Sequence, residues 1–127
     1  MTIREQVHSE NAPAAIGPYS QAIKAESLVF LSGQIPLDPQ TMEIVADDVA
    51  EQTHQVFKNL IAVSEAAGGS LSNAVKLTIY VTDLGDFATV NEIMAGYFSE
   101  PYPARATIQV SALPKGSKVE IDAILAL

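Results

Sequence analysis

The chain has 127 residues, the size of a single domain, and 48% of them are hydrophobic, which excludes a disordered or purely solvating polypeptide. Seven Lys and Arg against fifteen Asp and Glu leave a net charge of −8, which argues against nucleic-acid binding through the phosphate backbone. With no Cys and only His8 and His54, the composition excludes disulfides, thiolate chemistry, cysteine zinc sites and a histidine metal cage, so we expect no metal and no cofactor.

Residues 2–8 read as a short edge strand, followed by the turn-rich Asn11-Ala12-Pro13-Ala14-Ala15-Ile16-Gly17-Pro18. Two strands, Tyr19 to Ala25 and Leu28 to Gln34, flank a polar turn at Glu26-Ser27, and Pro36 and Pro39 close the unit. Asp47 or Asp48 caps a helix that runs to about Ala67, where Gly68-Gly69 stops it. Val49, Thr53, Val56, Leu60, Val63 and Ala67 form its apolar stripe, and His54 falls on the opposite, solvated side. Ala74 to Thr82 is a strand, and Asp83 to Asp86 caps a second helix from Phe87 to about Ser99. Phe87, Val90, Met94, Tyr97 and Phe98 make up its apolar face, with the amide of Asn91 at the flank. Two last strands follow, Arg105 to Ala112 and Val119 to Leu127, joined as a hairpin through Pro114-Lys115-Gly116-Ser117. The order is βββαβαββ, an α+β class with both helices on one face of a mixed sheet. The apolar ending Ala123-Ile124-Leu125-Ala126-Leu127 suits either a central strand or an oligomer interface.

No linker or repeat divides the chain, so we expect one domain over residues 1–127. The N-terminal stretch lacks a continuous apolar run, and no segment approaches the ~20 apolar residues that cross a bilayer. The expectation is a cytoplasmic protein with no membrane partner.

Few residues could carry chemistry. Arg105 opens a strand on which Thr107, Gln109 and Ser111 share its face. A guanidinium there can grip a carboxylate with two prongs or pair with one of the fifteen acids. Glu120 and Asp122 share one face of the last strand, as an acid–base pair or as an outward polar row. Gly33, after Ser32, lets a ligand approach the backbone or marks a β-bulge. Neither His is placed to serve Ser32 as a base, so a hydrolase triad is rejected.

Taken together, these blocks resemble the RidA family, the small YjgF-like imine deaminases. The resemblance rests on Asn11 through Tyr19, Leu31-Ser32-Gly33-Gln34-Ile35-Pro36 and Asp83 through Asp86-Phe87-Ala88-Thr89-Val90-Asn91. It rests further on Pro103-Ala104-Arg105-Ala106-Thr107-Ile108-Gln109-Val110, then Leu113-Pro114 and Val119-Glu120-Ile121. It implies a chorismate-mutase-like fold, a homotrimer with clefts between subunits, and hydrolysis of 2-imino acids such as 2-iminobutanoate and 2-iminopropanoate to 2-oxo acids and ammonia. By position, Arg105 would bind the substrate carboxylate, Glu120 would hold the attacking water, and the Gly33 backbone would meet the imine end. Tyr19, Ser32 and Asn91 would shape the pocket. Thr107 stands at its rim where many members carry Cys, and the link from Phe98 to Pro103 is short for the family. Two other classes compete with this reading: an endoribonuclease or translation inhibitor, which the acid excess opposes, and a non-catalytic binder of small carboxylates, for which Glu120 would be dispensable.

The hairpin expectation has a geometric corollary. It sets Ser111 roughly opposite Glu120 and Arg105 about 20 Å away at roughly 3.3 Å per residue. A site that uses both residues would then combine two subunits.

Overall fold

Alternating apolar residues and two helical stripes give the expected order of elements. The computed structural model describes residues 3–127, so Thr2 of the expected first strand lies outside the described residues. The strands are β1 (Arg4–Val7), β2 (Ala22–Ala25), β3 (Leu28–Gln34), β4 (Ala74–Val81), β5 (Ala104–Gln109) and β6 (Val119–Ala126). Helix α1 (Val49–Ala66) follows β3, and α2 (Phe87–Ala95) follows β4, giving βββαβαββ.

All six strands join one sheet in the order β1-β2-β3-β6-β4-β5. Only β4 and β5 run parallel; the other pairs are antiparallel. Asp48 caps α1, its carboxylate accepting from the Glu51 amide at 3.1 Å. The stripe Val56, Leu60 and Val63, with Phe57, is fully buried against the sheet, and α1 packs on β3, β6 and α2. Val29 and Leu31 of β3, Leu77, Ile79 and Val81 of β4, and Val119, Ile121 and Leu125 of β6 complete this core. The opposite face of the sheet is uncovered and carries Phe30, Tyr80, Ile108, Glu120, Asp122 and Ile124.

The expected hairpin between the last two strands does not form. Strand β6 runs up the middle of the sheet between β3 and β4, while β5 occupies the edge beside β4. Burial explains the choice. Val119, Ile121, Ala123 and Leu125 alternate strictly and need helices above and strands on both sides. In β5, Arg105, Ile108 and Gln109 stay exposed, which suits an edge. The apolar C-terminal run is therefore a central strand of the monomer.

Three smaller expectations shift. Strand β2 starts at Ala22 rather than Tyr19, because the buried Gln21 side chain turns back onto the preceding loop. Helix α2 ends at Ala95 with Gly96 as its cap, short of Ser99, although Tyr97 and Phe98 still pack on Phe57. Strand β5 ends at Gln109 instead of Ala112. His54 is exposed as expected, yet it is not merely solvated: its Nδ1 lies 2.8 Å from the Tyr97 hydroxyl.

Candidate functional site

The predicted residues fall into two groups on opposite faces of the sheet. In the β4–β5 register Arg105 lies beside Leu77, on the helix side. In the β4–β6 register Glu120 lies beside Tyr80, on the uncovered side. Leu77 pairs with Ala123, so the two sites are also three positions apart along the sheet, with β4 between them. That offset is roughly 10 Å along the strands and about as much across them, before the change of face is counted. Arg105 and Glu120 of one chain cannot hold the two ends of one small molecule. The separation inferred from the hairpin persists for a different reason: opposite faces rather than distance along one ribbon.

The first group is built on Gly33. Strand β3 pairs with β6 at Leu31↔Ala123 and again at Gln34↔Ile121, so Ser32-Gly33 sits on an irregularity in the ladder. The β-bulge expected at Gly33 is therefore present. Ser32 turns its hydroxyl away to donate to the Ser20 carbonyl at 2.6 Å. The Glu120 carboxyl lies directly over Gly33, where a Cβ would stand 2.5 Å from Oε2. Tyr19, half exposed, closes one wall with Ile16, whose amide it accepts at 3.4 Å. Ile16, Tyr19, Gly33 and Glu120 line a cleft of about 280 Å³ with Gln34, Leu37 and Lys115. Burial raises the Glu120 pKa, and the neighbouring Asp122 charge raises it further.

That shift predicts a pH-dependent stability. In the unfolded chain the Glu120 pKa is ordinary, about 4.3, and folding raises it, so the native state favours the proton. Stability from this group is complete below the unfolded value and is lost as pH rises through the folded one. Glu120→Gln should therefore melt above the parent at pH 8, each kcal/mol relieved adding ~4 °C, with the gap closing near pH 4. Scanning calorimetry across that range checks it; a constant gap would contradict the assigned environment.

The second group is built around α2 and the edge strand. Arg105 lies 5.1 Å from the Phe87 ring centroid and donates Nη1 to Asn91 Oδ1 at 2.5 Å. Met94 Sδ is 3.6 Å from the same nitrogen. Asn91, Met94, Ala95, Tyr102, Pro103 and Arg105 line an open hollow of about 480 Å³. The Asn91 carboxamide thus fixes the orientation of the guanidinium. Thr107 follows on the same face, and its Oγ1 is the single buried side-chain polar atom without a hydrogen-bond partner among the described residues. Among the described residues no group of three or more His, Cys, Asp or Glu could hold a metal ion.

The family model described as Endoribonuclease L-PSP matches residues 9–127. The chain belongs to this family. It is 59% identical to "Protein DfrA" of Myxococcus xanthus, over 95% of this chain and 94% of the relative. It is 48% identical to the Mus musculus "2-iminobutanoate/2-iminopropanoate deaminase", over 96% of this chain and 90% of that protein. The crystal structure of RidA from a Psychrobacter species superposes with a TM-score of 0.93 at 50% identity, covering 97% of this chain and 99% of that one. The resemblance to RidA proteins and the expected α+β fold therefore both stand.

In this L-PSP family chain, sequence reasoning passed over the residues that hold the Glu120 cleft together. Buried Gln21 accepts from the Ser9 amide at 2.6 Å and donates to the Pro13 carbonyl at 2.8 Å, fixing the loop beside Tyr19. Buried Asn59 donates to the Ile35 and Leu37 carbonyls at 3.3 and 3.0 Å, tying the floor of the cleft to α1. Gln52 accepts from the Lys118 amide at 2.8 Å and donates to the Ala46 carbonyl at 2.9 Å. One signal was available: Gln52 and Asn59 flank the apolar stripe of α1, where an amide must find buried partners.

Proposed function

We propose that the chain is a hydrolytic deaminase of 2-imino acids such as 2-iminobutanoate and 2-iminopropanoate, releasing 2-oxo acids and ammonia. The observation that carries this reading is the Glu120 carboxyl seated over Gly33 with its proton affinity raised by burial. Such a group can take a proton from water at one step and return it at another. The imine carbon is electrophilic already, so the chemistry asks for position more than for a strong nucleophile. Water adds to that carbon as Glu120 accepts its proton, forming the C–O bond. That proton passes to the nitrogen to give a carbinolamine; the hydroxyl proton then follows it by way of Glu120, so that the C=O bond forms as the C–N bond breaks and ammonia leaves with the 2-oxo acid. Arg105 grips the substrate carboxylate, with Asn91 and Phe87 holding its plane. Tyr19, Gly33 and Thr107 complete the substrate contacts, while Ser32 shapes the pocket by holding the bend at Gly33 through its bond to the Ser20 carbonyl.

Because the two groups occupy opposite faces of one chain, we place each site between copies, Arg105 from one and Glu120 from its neighbour, in a homotrimer. The uncovered sheet face supports this, since Phe30 and Ile108 are 43% and 45% exposed there. We place the protein in the cytoplasm; among the described residues no helix is long and apolar enough to cross a membrane.

An RNA-directed activity, which the family description names, fits this chain poorly. Both lysines near the Glu120 cleft spend their ammonium on backbone carbonyls, Lys115 on Met42 at 2.9 Å and Lys118 on Asp47 at 2.6 Å. Only five Lys and two Arg are spread along a chain of net charge −8.

One experiment tests the reaction and the assembly together. Imino acids are generated by an amino-acid oxidase, and semicarbazide reports what escapes hydrolysis. The parent should suppress the semicarbazone, while Arg105→Ala and Glu120→Ala should each fail alone. After dissociation and reassembly at equal amounts, random mixing should restore roughly a quarter of the sites, because a heterologous interface pairs two different residues. A parent without effect overturns the deaminase; a mixture that stays inactive despite verified exchange overturns the shared site.

A further inference from the structure

On the uncovered face of β6, Asp122 lies two residues from Glu120 and points the same way, which brings two carboxylates onto one side of one strand. The antiparallel partner β4 sets Tyr80 directly across from Glu120 and Thr78 across from Asp122. The Tyr80 side chain reaches diagonally, and its hydroxyl donates to Asp122 Oδ2 at 3.1 Å. Burial and the two carboxylates raise the Tyr80 pKa, so the phenol keeps its proton and remains a donor.

Within one chain, among the described residues, no cation pairs with this group. Among the described residues the one ion pair is His8–Glu10, remote from the site. Lys115, which lines the same cleft, is bound to the Met42 carbonyl, and Lys76 of β4 lies farther along, opposite Ile124. Loop 13–19 contributes only the Tyr19 phenol, and β3 contributes the neutral Ser32 and Gly33.

We propose that Asp122 and Tyr80 form a positioning pair for Glu120: the Asp122 charge, fixed in place by the Tyr80 hydroxyl, governs how firmly Glu120 holds its proton. The pair touches no substrate and acts through Glu120 alone. A carboxylate that must both take a proton from water and release one to nitrogen turns over best with a proton affinity near the working pH. Burial moves Glu120 in that direction, and a second fixed negative charge moves it further. Without the Tyr80 hydroxyl, Asp122 could swing into solvent, where its field on Glu120 is screened.

The role in turnover rests on Glu120 acting as proposed above, so the test reads proton binding and catalysis separately. The parent, Asp122→Asn and Tyr80→Phe are labelled with 13C at the glutamate carboxyl, and the Glu120 signal is assigned by its loss in Glu120→Gln. NMR titration should give a midpoint at lower pH in Asp122→Asn than in the parent. Tyr80→Phe should move part of the way in the same direction. The Arg105 of the neighbouring copy is common to all three proteins and cancels in the comparison. The acid limb of the kcat profile for imine hydrolysis should follow the same order, with KM little changed. A Glu120 midpoint unaltered by Asp122→Asn overturns the pair. A midpoint that moves while the kcat profile does not supports the pair and instead overturns the use of Glu120 in turnover.

Discussion

Replacing Arg105 with Lys should lower imine turnover by roughly 30- to 1000-fold, equivalent to about 2–4 kcal/mol of lost transition-state binding, with the fold intact. The guanidinium is planar and already oriented, lying against the Phe87 ring and donating to Asn91. A substrate carboxylate can then meet two parallel N–H groups without further ordering. Lys keeps the charge but offers one tetrahedral ammonium on a flexible stem, and it abandons the ring. Arg105 is exposed on an edge strand, so the substitution leaves the core untouched and the loss belongs to the site. Steady-state kinetics with the semicarbazide assay, alongside circular dichroism, checks this. Activity within about threefold of the parent would return Arg105 to a structural role.

Gly33→Ala should be nearly as damaging for a contrary reason: it adds an atom rather than removing a contact. Gly33 is not among the glycines with positive φ, so an alanine meets no backbone strain there. The added Cβ would stand 2.5 Å from Glu120 Oε2 and 3.0 Å from its Cδ. The end of a flexible side chain can move aside, so the fold survives while the carboxyl shifts by the better part of an ångström. A displacement of that size costs on the order of a hundredfold in rate where a reacting group must be placed precisely. The expected result is a folded, assembled protein with kcat reduced about a hundredfold and a Glu120 that titrates closer to an ordinary glutamate. Unchanged kcat would mean that the carboxyl need not sit over this glycine.

The amino-acid sequence by itself determined the order of elements, the class and the residues on each face. Those depend on local rules: alternation in Val119 to Ala126 and helical spacing from Val49 to Val63 place the buried faces without knowledge of any partner strand. Family blocks around Gly33, Arg105 and Glu120 likewise lie within short stretches. Sheet order was not local. The turn at Pro114 to Ser117 fits a hairpin between neighbours, yet β6 gains more by lying between β3 and β4 with both edges paired. Only that choice brings Glu120 over Gly33 and beside Tyr80, residues far away in the chain, and puts Arg105 on the other face against α2. The partners of the amides that hold the cleft, Gln21 and Asn59, were equally invisible even where the helical stripe flags Asn59, because they are backbone carbonyls that only the folded loops deliver. Side-chain patterning is set residue by residue, whereas pairing is decided by the total burial of whole strands, and the site depends on the pairing.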